Sequence, residues 1–75
     1  MNVNELGGIL NRMYNSAPKG YQVANIHFFG VKYASIILKN NYKVSDIIHA
    51  SGLNPSYATE VSKGIKLSKY VVPKY

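Results

Sequence analysis

The sequence contains no cysteine, which excludes both a disulfide framework and a thiolate metal site, so a chain of 75 residues must be stabilised by packing or assembly. A reducing, cytoplasmic setting is the expected home. Acid is scarce as well, with Glu5, Asp46 and Glu60 the only acidic side chains. Beside just two histidines, His27 and His49, that leaves too few ligands for a closed metal site, and neither metal nor cofactor is expected. No carboxylate pair or Ser-His-acid arrangement can be assembled, and Gly7-Gly8 lacks the Lys-Ser/Thr that completes a phosphate-cradling loop. These absences argue against an enzyme. No apolar run approaches the ~18 residues of a membrane span, and Met1-Asn2-Val3-Asn4-Glu5 lacks the basic and apolar regions of a signal peptide. The expectation is a soluble, unsecreted protein without membrane insertion.

What is present is base. Nine Lys and Arg against three acids give a net charge of +6 and a pI near 9.7, which favours polyanionic partners. The distribution is uneven, since residues 32–75 carry seven lysines against Asp46 and Glu60, which is +5 of the total. The length suits one domain, residues 1–75, with a small core of packed helices. A hydrophobic content of 47% leaves apolar material for self-association.

Along the chain, Asn2-x-x-Glu5 reads as a variant capping box, followed by Val3, Leu6, Ile9, Leu10 and Met13 on one helical face. Gly7 and Gly8 weaken this first helix by about 1 kcal/mol each relative to Ala, and close packing against another helix is the expected reason for both. Residues 15–20, NSAPKG, form a turn cluster. Residues 21–41 favour helix over strand by length and by Ala34 and Leu38, with Ala24, His27, Phe28, Val31, Ser35 and Leu38 on one stripe. Gly30 is expected to divide or kink this segment, which serves as the central buried helix or partly as a dimer surface. Asn40 and Asn41 close it. Residues 68–75 read as a short turn or extended tail, in which Tyr70 and Tyr75 are expected to pack.

The stretch from Ser45 to Lys66, SDIIHASGLNPSYATEVSKGIK, parses as two short helices joined by a tight turn. Ser45 is the expected cap of the first, Asp46 its first-turn acid, and Gly52 its left-handed stop. Leu53 returns an apolar side chain to the seam. Asn54 then caps the second helix, with Pro55 at its first position and Gly64 as its stop. Ala58 and Val61 share the face that meets the first helix. The order Ile47, Ala50, Gly52, Leu53, Ala58, Val61 resembles bacterial helix-turn-helix regulators over about twenty residues, and the whole chain looks like small bacterial HTH-like domain proteins. One position departs: Ile48 stands where that motif usually holds Ala, so a different crossing angle is expected.

The resemblance implies an all-α fold, a compact bundle of four to five short helices containing a helix-turn-helix at about residues 45–66. It also implies a DNA-binding transcriptional regulator with residues 54–64 as recognition helix. The expected base contacts are Asn54, Ser56, Tyr57, Thr59 and Glu60, because the first turn of that helix enters the major groove. The expected phosphate contacts are Lys43, Ser62, Lys63, Lys66 and Lys69. Without Arg in this helix, bidentate reading of guanine has no obvious agent. Arg12, the only arginine, is expected at the surface of the first helix. A short reader gains specific affinity by pairing, so double-stranded DNA and a homodimer are the expected partners.

The same residues support competing readings. The face of residues 56–63 also suits a solvated helix, and Glu60 would repel phosphates unless it accepts from a cytosine amino group. Seven tyrosines and two phenylalanines suggest base stacking, but most are better explained as core. The alternative function is a protein-interaction module on the same fold, using the aromatic segment 26–38. A weaker one is attachment to RNA or an anionic membrane surface through the basic half.

Overall fold

Helix α1 (Val3–Asn15) starts on the capping box read from the sequence: Asn2 Oδ1 accepts from the Glu5 N–H at 2.8 Å, and Glu5 Oε1 accepts from the Asn2 N–H at 3.0 Å. The computed structural model describes residues 1–73 and continues with α2 (Gln22–Lys39), α3 (Val44–Ser51), a 3-10 turn (Pro55–Tyr57) and α4 (Ala58–Leu67). It is all-helical among the described residues. Leu6, Leu10, Ile26, Phe29, Ile37, Ile47, Ile48 and Val61 form one fully buried cluster drawn from every α-helix. The packing is pairwise: α3 lies mainly on α1, α4 lies mainly on α2, and α1 against α2 joins the two pairs.

Both close pairings rest on a missing side chain. A Cβ on Gly7 would come within 2.6 Å of the Ala50 Cβ, so α1 and α3 touch there at backbone distance. Gly8 does not share that role, because only the Arg12 guanidinium approaches it, at 3.6 Å; it weakens α1 without a packing return. Gly30 does not divide α2, which runs unbroken for 18 residues. It is buried instead where α4 crosses, and a Cβ there would lie 2.6 Å from the Val61 carbonyl oxygen. Gly64 is the matching residue on α4 and does not stop that helix, which continues to Leu67.

The buried stripe of α2 is Ile26, Phe29, Gly30, Ala34 and Ile37, out of phase with the sequence expectation. Ala24, Ser35 and Leu38 face solvent. The segment has enough apolar residues to support either phase, and the glycine crossing selects the one that brings α4 closest. Two further boundaries differ: the second motif helix expected from Pro55 opens as a 3-10 turn over Pro55–Tyr57, so α4 itself starts only at Ala58, and α3 starts before Ser45. Lys43, not Ser45, occupies the cap position of α3, because Val44 packs on the core and draws the helix start forward. Tyr70 is 83% exposed and does not pack, while Tyr75 lies outside the described residues.

No described helix is long and apolar enough to cross a membrane, and no group of three potential metal-ligating side chains occurs among the described residues.

Candidate functional site

The turn between α3 and α4 is built from residues whose chemistry suits each position. Gly52 takes φ +75°, a left-handed conformation that costs a side-chain-bearing residue about 1–2 kcal/mol, and its N–H donates to the His49 carbonyl. Ser51 is buried, and its hydroxyl donates to the Ile48 carbonyl at 2.6 Å while accepting from the Leu53 N–H at 3.1 Å. Asn11 of α1 donates to the Ser51 carbonyl at 2.9 Å and ties the turn to the bundle. Leu53 packs against the core beside Ala58. Asn54 Oδ1 then accepts from the Ser56 N–H at 2.9 Å, with Pro55 at the first position of the 3-10 turn that leads into α4.

Helix α4 has two distinct faces. Val61 and Gly64 are buried against α2, whereas Thr59, Ser62, Lys63 and Lys66 recur at helical spacing on the opposite side. Thr59, Lys63 and Lys66 are exposed and Ser62 is half-buried. Asn54 and Ser56 are exposed just ahead of this stripe, so six of the ten sequence-designated residues form one continuous polar surface. Lys43 is exposed at the start of α3 and Lys69 just past the end of α4, flanking it.

Two of the designated residues turn inward. Tyr57 packs on Tyr14 with ring centroids 5.3 Å apart and a hydroxyl-to-hydroxyl distance of 3.0 Å. The hydrogen bond with Tyr57, together with burial, pushes the Tyr14 phenol above its ordinary value. Glu60 accepts from His27 Nε2 of α2 at 2.6 Å and lies 3.5 Å from Lys63 Nζ. The His27 hydrogen bond, reinforced by the nearby Lys63 charge, holds the Glu60 carboxyl below its usual value despite the opposing effect of burial.

The arrangement is chemically simple. It presents hydroxyl and amide groups on the first turns and ammonium groups further along, with the one local acid engaged by α2. His27 and Tyr14 are the residues that sequence reading missed. Each acts through a partner 33 or 43 positions away, beyond any local pattern, although the Glu60–Lys63 spacing was visible.

A profile of the family described as HTH-like domain matches residues 2–74 of this sequence. No curated protein and no solved structure matches the chain.

Proposed function

This chain belongs to the HTH-like domain family, and from that membership and the chemistry of its α4 face we propose that it binds double-stranded DNA as a transcriptional regulator. The observation that carries the reading is the withdrawal of Glu60. One carboxylate oxygen is held by His27 of α2 at 2.6 Å and the other lies 3.5 Å from Lys63 Nζ, so this acid is engaged on both sides while the outward stripe of α4 itself carries lysines, hydroxyls and no acid. The 3-10 turn and first turn of α4 enter the major groove, with Asn54, Ser56 and Thr59 as base contacts. Lys63, Lys66 and Ser62 meet phosphates, and Lys43 and Lys69 extend that contact on either side. Tyr57 and Glu60 orient the helix through Tyr14 and His27 rather than touching bases. A second copy doubles the contact surface, meeting the first along the outer side of α2 where Val71 and Val72 of the tail are exposed.

The competing interaction module draws less support from this fold. Ile26 and Phe29 are fully buried and Phe28 and Tyr33 half-buried, so the segment 26–38 has little aromatic surface left to offer a partner. The large exposed apolar residues at this end of the chain, Leu67, Tyr70, Val71 and Val72, stand beyond the first two turns of α4.

The deciding experiment is binding of the protein to random duplex DNA across a salt series. Affinity that falls steeply with salt is the expected result, followed by selection of a preferred site at fixed salt. Absence of binding at low salt overturns the proposal. Sedimentation with and without a selected duplex tests the dimer.

A further inference from the structure

A groove of about 400 Å³ opens between the C-terminal end of α2, the start of α3 and the outer edge of α4. Its floor is apolar, formed by Ile37, Leu38, Val44 and Ile65. Its opposite rim is cationic, carrying Lys66 of α4 and Lys69 just past its end, with Ser62 of α4 also in the lining. Neither lysine makes an ion pair among the described residues. The polar groups on its other edges are already used: the Tyr42 hydroxyl donates to the Met1 carbonyl at 2.7 Å, and the Ser68 hydroxyl donates to the Ile65 carbonyl. The groove therefore offers an apolar wall and, at one side only, two ammonium groups unpaired among the described residues and a hydroxyl.

From this division we propose that the groove binds a small apolar carboxylic acid in its anionic form, with its hydrocarbon part on Leu38, Val44 and Ile65 and its carboxylate between Lys66 and Lys69. The volume lies within the ~300–1,000 Å³ range of small-molecule sites, toward the lower end, which suits a single chain or ring. Charge complementarity selects the anion, since no carboxylate side chain lines the groove. The apolar floor selects against acetate or inorganic phosphate, which would leave it covered only by water. The cleft inside the α3–α4 turn is different: its lining includes His49 but no lysine or arginine, so it lacks a permanent charge to hold an anion.

The groove shares Ser62, Lys66 and Lys69 with the proposed phosphate-contacting surface. An acid bound in the groove would draw the Lys66 ammonium away from phosphate and lower DNA affinity, which makes the groove an effector site for the proposed regulator. Binding is measured without DNA, so failure of one proposal is distinguishable from failure of the other.

The test is a titration of the isotopically labelled protein with decanoate below its micellar range, followed by amide chemical shifts. Acetate and decan-1-ol serve as the charge-only and chain-only controls. Saturable shifts centred on Ile37, Leu38, Val44 and Ile65 are expected, with affinity about tenfold weaker in Lys66→Gln/Lys69→Gln and for the alcohol, equivalent to about 1.4 kcal/mol. Both lysines are exposed, so the variant should keep the wild-type spectrum elsewhere. Equal response to acetate, undiminished binding by the lysine variant, or shifts spread over other surfaces would overturn the assignment.

Discussion

Gly30 of α2 and Gly64 of α4 meet backbone to backbone. A Cβ on Gly30 would stand 2.8 Å from the Gly64 Cα, and one on Gly64 would stand 3.0 Å from the Gly30 Cα and collide with the His27 carbonyl. The same crossing brings His27 to Glu60, so the closeness of two helices sets both the stability of the fold and the charge of its exposed face.

Alanine at either crossing glycine should therefore destabilise, although alanine is the better helix former. The propensity gain is at most about 1 kcal/mol, and backbone atoms cannot yield as a flexible side chain would, so a net loss of about 1–3 kcal/mol is expected. Gly8→Ala is the matched control. Its surroundings are open apart from Arg12, and a gain of about 0.5–1 kcal/mol is expected. Thermal melts resolve both, since 1 kcal/mol moves Tm by about 4–8 °C in a domain of this size.

The two asparagine caps separate stability from recognition. Asn2→Ala removes the capping box of α1 and should cost about 1 kcal/mol while leaving DNA affinity unchanged. Asn54→Ala removes the cap before the 3-10 turn and also a proposed base contact. Denaturant melts and DNA binding measured together should show one loss for Asn2→Ala and two for Asn54→Ala.

The Glu60 pair predicts a pH window. Because the folded state holds this carboxyl below its ordinary value, its contribution is present above the ordinary carboxylate pKa of about 4.3 and lost as pH falls through the lower folded value. Urea melts of wild type and Glu60→Gln should differ near pH 5.5 and converge on acidification. A gap that persists unchanged into strong acid would mean that the ionised pair is not its source.

Lysine and hydroxyl substitutions should act differently on DNA. Lys63→Ala/Lys66→Ala should weaken binding to all sequences and make the salt dependence shallower by about two units of slope, near 0.9 per phosphate contact. Ser56→Ala/Thr59→Ala should leave that slope in place and relax sequence preference, by about 1–3 kcal/mol per lost base contact. Competition between a selected duplex and random DNA at fixed salt reads the second effect.

Local chemistry was enough to read much of this fold. The Asn2–Glu5 box, the NSAPKG turn, the left-handed Gly52 and the Asn54-Pro55 start each act within a few residues, so their meaning is written in adjacent positions. The all-helical class and the exposure of Asn54, Ser56, Thr59, Lys63 and Lys66 follow from the same short-range spacing. Only the tertiary structure decided what Gly30 and Gly64 do, because a glycine that breaks a helix and one that admits a second helix look alike until the neighbour is in place. The phase of α2 and the inward turn of Tyr57 and Glu60 were likewise settled by partners on other helices. Sequence spacing places a side chain on a face; which neighbour takes up that face depends on how closely the backbones can approach.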